Sequence, residues 1–561
     1  MMRFLPVTLN ALLVELDNLE QTLALLASLQ SQPIAGIETL VPAARTLLVQ
    51  WRESACSWSE LVRQIGQRDV SASAQRSATL VEIPVHYTGE DLAEVAQLLG
   101  ITPEELIQRH TGSEYTVAFT GFAPGFAYLS GGHPSFQVPR RSTPRTRIPA
   151  GAVGLAGAFS GIYPQASPGG WQIIGTTPTA MWDIARETPA LLQPGYRVRF
   201  VDIATLSGAA RAALTGAASA MSIAATTATA AEAASKELGG PGLEIRSPGL
   251  QTLFQDLGRH GQAGQGVSAS GALDPVALKA ANRLVGNPSN SAALEAAGGG
   301  LCLCSRGETV LAVTGADAPL TVVSAQGQRW QVARYAPFAL ADGDTLTIGP
   351  PQAGLRSYLA VRGGFGVQPV LGSCATDTLA NVGPKPLAAG DLMAVRAPVH
   401  ASAVGMPEQS PGDLPRIENV VVLDVLLGPR TDWFTPEAVA LLQSQLWQVT
   451  PQSNRIGLRL QGAQALARAV PDELPSEGTV WGAIQVPPSG QPVLFLADHP
   501  LTGGYPVIGC VAPHHLGRAG QIPVQAWLRF NIVRGFESHS SVSGKTAAQA
   551  PTQNPIDSEP S

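Results

Sequence analysis

Residues 206–240 divide this sequence in two. The run SGAARAALTGAASAMSIAATTATAAEAASKELGG is dominated by alanine, serine and threonine. It lacks the large apolar side chains that a core or a membrane span requires. It therefore reads as a linker, partly helical, between two otherwise separate proteins. At 561 residues the chain also exceeds what one hydrophobic core supports, and about three or four domains are expected. The reading divides it into a small α+β unit over 1–78, a strand-rich unit over 79–205, the linker, strand-rich units over 241–405 and 406–537, and a disordered polar tail over 538–561.

Within the first unit, ALLVEL and TLLVQW read as strands and LEQTLALLASLQ as an amphipathic helix, with a further helix from Ser57 to Gln67. DLAEVAQLLG and TPEELIQRHTG predict two short helices, the second opened by Thr102 with Glu105 three residues on. Over the whole chain 59 glycines, 45 prolines and only 6% aromatic residues suit many short strands joined by tight turns. The fold class expected is mixed α+β, mainly β. A net charge of −6 argues against nucleic acid as the main partner. The five cysteines form no pair of CxxC motifs, which points to buried thiols in a reducing cytoplasm. Glu15 and Asp17 interrupt the apolar N-terminal run, and no eighteen strongly apolar residues occur together, so neither a signal peptide nor a membrane span is expected.

Chemistry concentrates between Ser476 and Gly509. Two apolar runs, Val480 to Val486 and Val493 to Ala497, flank PPSGQP and read as strands around a tight turn. The second run ends in Asp498 and His499, then Thr502, Gly503, Gly504 and Tyr505, before a third apolar run from Val507 to Ala512. An acid, an imidazole and a hydroxyl thus gather where strands end. Adjacent glycines permit positive φ and let backbone N–H groups face an anion. The plainer alternative is a hairpin loop that needs Gly-Gly for its backbone. Gln485, inside the first run, joins Gly503, Gly504 and Tyr505 as a candidate binding group.

A second concentration lies in FTGFAPGFAYLSGGHPSFQVPRRSTPRTRIPAG. Arg140, Arg141, Arg145 and Arg147 crowd a segment kept extended by Pro139, Pro144 and Pro149. They form either a solvated basic edge or a clamp for a carboxylate or phosphate. His133 follows two glycines, as a polar group at a cleft or a satisfied loop residue. In the second half, Asp274-Pro275 begins a helix, with Asp as N-cap and Pro at N1, that carries Lys279 and Asn282 three apart on one face. These three read as polar substrate ligands, or as a cap and two surface residues. Gly264-Gln265-Gly266 matches a dinucleotide-binding pattern only formally, because no strand precedes it and no helix opens at its third position.

These stretches carry a resemblance. SEGTVWGAIQVPPSGQPVLFLADHPLTGGYPVIG resembles the carboxyltransferase-type family that includes the C subunit of 5-oxoprolinase (the Kip antagonist) and urea carboxylase. Members usually carry Gln-Thr-Thr-Gly-Gly-Tyr-Pro where this chain has His499 to Pro506. PGFAYL, PRRSTPRTRIPAG and GIYPQASPGGWQIIG resemble the B subunit of 5-oxoprolinase, the Kip inhibitor. The resemblance spans roughly 3–205 and 242–535 and implies a natural fusion of the two subunits. It implies a small α+β domain followed by cyclophilin-like β-barrel domains. It also implies ATP-dependent opening of the 5-oxoproline lactam, with ATP and Mg²⁺ as cofactors and the separate A subunit of 5-oxoprolinase as partner. Asp498, His499 and Thr502 would be catalytic. His133, Arg140, Arg141, Asp274, Lys279, Asn282, Gln485, Gly503, Gly504 and Tyr505 would bind substrate or ATP. It leaves the metal ligands unnamed and self-association open. The rival enzyme it implies is a carboxyltransferase using carboxybiotin supplied in trans on urea or an amide. The non-enzyme rival is a regulator of a sensor histidine kinase. No phosphate-binding loop, Met-Lys-Met biotin site, GxSxG or Ser-Ser-Gly-Gly amidase signature occurs, which argues against a complete biotin carboxylase or serine amidase.

Overall fold

A computed structural model describes residues 2–71, 77–141, 143, 145–207, 240–398 and 403–540. The linker expected over 206–240 lies almost wholly outside the described residues, as does the tail beyond 540.

The N-terminal unit is a sheet of Ile37–Pro42, Thr46–Trp51, Ala11–Glu15 and Arg3–Thr8 in that spatial order. Helices Leu19–Ser31 and Trp58–Gly66 accompany it, each opened by a capping side chain: Asn18 and Ser57 accept from the backbone N–H of Gln21 and Glu60. Leu25, Leu29, Leu61 and Ile65 bury the helices' apolar faces against Leu12, Val14, Leu47 and Trp51. The sheet's last strand comes from the far end of the chain: His539–Ser540 pairs antiparallel with Arg3 and Phe4. Disorder expected from residue 538 therefore does not hold at 539–540, where the backbone of the N-terminal edge strand supplies partners.

The next unit, Leu80 to Asp202, is a seven-stranded sheet whose outermost strands, Leu80–Val85 and Gln172–Thr176, meet at a bridge between His86 and Thr176. Helices Leu92–Leu99 and Pro103–Thr111 pack on it. Thr102 caps the second by accepting from Glu105 N at 3.2 Å, while Glu105's own side chain turns to Arg109. Residues 242–394 form a six-stranded and a five-stranded sheet over one apolar core, with helix Pro275–Leu284 packed against the strands. Residues 420–534 form a closed seven-stranded barrel. Only two strand pairs among the described residues are parallel, Arg197–Asp202 with Leu80–Val85 and Val420–Leu427 with Trp527–Arg534, so no doubly wound parallel sheet is present there. All five cysteines are free thiols, and no helix among the described residues is long and apolar enough to cross a membrane.

The two halves share a core. Leu5, Leu13 and Leu48 of the first sheet bury against Val480, Phe495 and Leu501 of the barrel half in one apolar cluster. Gly478 lets Leu48 approach, since a β-carbon there would collide with the Leu48 side chain. Beside it, buried Arg430 binds Glu477 within its own half and Glu15 of the other at 2.7 Å. This contact sets the signature loops of the two halves face to face.

Candidate active site at the junction of the two halves

Three loops converge. The first, Thr120 to Gly125, leaves strand Glu114–Thr120; the second is Gly261 to Gly266; the third is Leu501 to Pro506. Thr120 Oγ1 donates to the Gly264 carbonyl at 2.9 Å, and Gly125 N–H donates to the Gln265 carbonyl at 3.0 Å. Phe122 N–H donates to Thr502 Oγ1 at 3.0 Å, across 380 residues of sequence. Gly121 makes that approach possible, because a β-carbon there would strike the Thr502 hydroxyl. Phe122 itself holds φ 62°, left-handed and uncommon for a bulky side chain. A fourth contact closes one side: Asn381 Nδ2 donates to Gln165 Oε1 at 3.0 Å, and Gln165 Nε2 to the Leu379 carbonyl at 2.9 Å. The stretches near 120–175 and 476–509 thus meet across the junction.

Gly503 and Gly504 are glycine for a reason other than the one expected. Neither has positive φ. A β-carbon on Gly503 would meet Gln485 Nε2, and one on Gly504 would meet Arg140 Nη1. The pair therefore makes room for two side chains, one from each half of the chain. Gln485 Nε2 also donates to the Tyr505 carbonyl at 3.2 Å, and the Arg468 guanidinium lies 6.0 Å from the Tyr505 ring centre.

The arginine group divides. Arg141 and Arg145 both bind buried Asp91, at 2.8 and 2.7 Å, and Arg145 also reaches Glu90. Asp91 in turn accepts from Ile173 N at 2.6 Å, so these two arginines hold the segment down. Arg147 is exposed. Arg140 has no ion pair among the described residues; its Nη2 reaches Ser476 Oγ at 3.4 Å, and Ser476 Oγ reaches Tyr128 Oη at 3.4 Å. Sequence patterning singles out neither Arg468 nor the Ser476–Tyr128 contact. Only the distance in the chain hides them, since both lie in or beside the signature stretches.

Asp498 and His499 lead into the third loop and are already engaged. Asp498 is fully buried and receives five hydrogen bonds: Ser270 Oγ at 2.6 Å, Thr378 N and Oγ1 at 2.9 and 2.7 Å, and Arg455 Nε and Nη2 at 3.0 Å each. A carboxylate offers about four lone-pair sites, so none is left for a substrate proton. Burial alone would raise this carboxyl, but the Arg455 guanidinium overrides it and holds the group below the usual range. Arg455 also binds Glu295 and the Gly271 carbonyl, tying the third loop to the 242–394 unit. Nearby Asp377 accepts from Ser268 Oγ at 3.1 Å; burial and the Asp498 charge push it up to about 7. His499 Nδ1 lies 2.9 Å from the Pro500 carbonyl and must carry the proton to bond it, while burial lowers the ring's pKa.

The remaining candidates lie away from the third loop. His133 bonds Ser135 at 2.8 Å on the side of Arg109. Asp274 caps its helix through Ala277 N at 3.0 Å and accepts from Gln521 at 2.9 Å, and burial raises its carboxyl. Asn282 is fully buried on the Ser291 carbonyl while Lys279 is exposed, so the helix turns these two to different environments rather than to one face. For a metal, Asp424, His514 and His515 bring donor atoms within 4.8 Å of one another. His515 Nδ1 already accepts from Asp424 N–H at 2.9 Å, so that lone pair is taken. At the junction itself, Asp498 has no lone pair to spare for Mg²⁺.

The chain matches the carboxyltransferase domain family twice: subdomains C and D over residues 2–192 and subdomains A and B over 265–532. It is 37% identical to the C subunit of 5-oxoprolinase from Escherichia coli over 294 residues, 51% of this chain and 90% of that protein. It is 38% identical to the B subunit of 5-oxoprolinase from Bacillus subtilis over 192 residues, 32% of this chain and 80% of that protein. The crystal structure of TTHA0988 superposes with a TM-score of 0.75 at 33% identity, covering 93% of this chain and 99% of that one. The chain therefore belongs to the carboxyltransferase-domain family and carries on one polypeptide both modules that its relatives, the B and C subunits of 5-oxoprolinase, hold as separate proteins.

Proposed function

We propose that this protein is the fused B and C component of a 5-oxoprolinase, which with a separate A subunit uses ATP to hydrolyse 5-oxoproline to glutamate. The observation that carries the reading is the junction itself, where Phe122 and Arg140 from two segments of the B-type module meet the loop of the C-type module at Thr502 and Gly504.

The chemistry has a defined need. A lactam carbonyl is a poor electrophile, and ATP supplies the means of activating it. This chain's part is to hold the ring, exclude water and present donors where negative charge develops on oxygen. The Thr502 hydroxyl and the backbone of Gly503 and Gly504 are the donors proposed. His499, whose Nε2 is the accepting nitrogen when Nδ1 bonds Pro500, is the proposed proton acceptor; Asp498 positions its loop. Gln485 and Tyr505 shape the opposite side. The residues present do not form a magnesium–triphosphate site at the junction, so no step is routed through one there. The five free thiols fit a cytoplasmic protein.

The test is reconstitution. The chain alone should leave 5-oxoproline unchanged; with the A subunit, ATP and Mg²⁺ it should release glutamate and ADP together. A second reading, carboxyl transfer from carboxybiotin held by another protein, is favoured by the match to carboxyltransferase subdomains over both halves. Carboxylation of urea or an amide with a carboxybiotin donor, and no glutamate from the reconstituted mixture, would replace the first reading with the second.

A further inference from the structure

Arg140 is half-buried at the junction, with its Nη1 against the Gly504 backbone and its Nη2 toward Ser476. Of the neighbouring arginines, Arg141 and Arg145 are bound by Asp91 and Glu90, and Arg147 points to solvent. Through Ser476, Arg140 is linked to a buried aromatic cluster. Tyr163, which lies in the field of Arg140, packs edge-on to Phe126 at 5.3 Å, and Phe126 packs on Trp171 at 5.4 Å. Tyr128 joins the same cluster at 5.6 Å from Trp171 and touches Ser476.

Arg140 thus has no ion pair among the described residues, Arg468 beside Tyr505 is held on the Val486 carbonyl at 2.7 Å, and buried aromatic rings lie next to Arg140. A triphosphate with magnesium needs several cations and metal ligands. A ring bearing a single carboxylate needs one planar fork and an apolar surface for its methylenes. We infer that Arg140 is the specificity residue for the carboxylate of a carboxylated lactam, and that the nucleotide phosphates are held elsewhere. The inference rests on the oxoprolinase reading above. It adds that the glycine at 504 serves to admit this guanidinium.

Titration calorimetry on the full chain tests it with three probes: 5-oxoproline, 2-pyrrolidinone (the same ring without the carboxylate) and ATP. The unaltered chain should prefer 5-oxoproline to 2-pyrrolidinone by about 10–100-fold, the range expected of a charge-assisted contact. Arg140→Gln and Arg140→Ala should erase that preference and leave 2-pyrrolidinone and ATP binding unchanged. Arg140→Lys, which keeps the charge but loses the fork, should retain part of it. Gly504→Ala should act like Arg140→Gln, by displacing the guanidinium without altering its charge. Unchanged melting temperatures would separate these effects from unfolding. A preference for 5-oxoproline that survives in Arg140→Gln, or that is missing from the unaltered chain, overturns the inference. So does an Arg140→Gln loss that falls on ATP. If the preference depends on Arg140 but the chain with the A subunit yields no glutamate, the oxoprolinase reading falls while the carboxylate subsite stands.

Discussion

The stretch from Asp498 to Tyr505 contains two kinds of residue that look alike in sequence and differ in structure. Asp498 and His499 are bonded within their own half of the chain, to Arg455, Ser270, Thr378 and the Pro500 carbonyl. Thr502 and Gly504 are approached from the other half, by Phe122 and Arg140. The first pair carries the more reactive side chains, yet Asp498 is committed to holding the loop. The second pair contributes a hydroxyl and an absent side chain, and it is where the two halves meet. An acid beside a histidine is thus no sign by itself that the acid moves a proton.

The largest effect should come from breaking the first kind. Asp498→Ala or Arg455→Ala strands a buried charge and should cost about 3–5 kcal/mol in urea unfolding. If Asp498→Asn keeps full stability and loses turnover, the division fails and Asp498 is catalytic. Next comes the second kind. In the reconstituted mixture Gly504→Ala should lower turnover of 5-oxoproline about tenfold, a loss of about 1.4 kcal/mol, with little change in melting temperature. A large fall in melting temperature instead would mean that the glycine serves the backbone.

Much of this architecture is legible in the sequence. Helix Leu19–Ser31 and the strands Ala483–Gln485, Val493–Phe495 and Val507–Val511 lie where periodicity and the Pro/Gly turn put them, because each is fixed by neighbours close in the chain. The signature loops are legible as well. The partition of the arginines is not. Arg140 and Arg141 are adjacent and chemically identical, and only the fold brings Asp91 to one and Gly504 to the other. Likewise, Gly503 and Gly504 announce a special site without revealing whether torsion or space is what they supply.

Acidity sharpens the contrast further, with a smaller effect. The folded-state value of about 7 for Asp377 lies above the ordinary carboxyl value of about 3.9. The folded protein therefore holds this proton more tightly than the unfolded chain does. That contribution to stability is present at acid pH, declines as pH rises between those two values, and is exhausted above about 7. Asp377→Asn removes it, so between pH 5 and 7.5 the variant should lose less stability in urea melts than the unaltered chain. An identical slope would show that Asp377 is ionised throughout, and that the network around Asp498 tolerates two charges. The smallest effect is expected from cutting the chain within residues 206–240. The shared core of Leu5, Leu48, Val480 and Phe495 should keep the halves together on size-exclusion chromatography at micromolar concentration. Clean separation there would mean that the junction depends on the covalent link.

The pairing of His539–Ser540 with Arg3–Phe4 brings the outer ends of the described chain side by side. The polypeptide is then close to a ring with one gap, and the order of its two modules is a matter of where that ring is opened. Rejoining residue 540 to residue 3 by a short bridge and reopening between 207 and 240 would place the C-type module first, with the same strands in the same sheets. The genetic order of the two modules, and their existence as one gene or two, can therefore change while the surface between them stays the same.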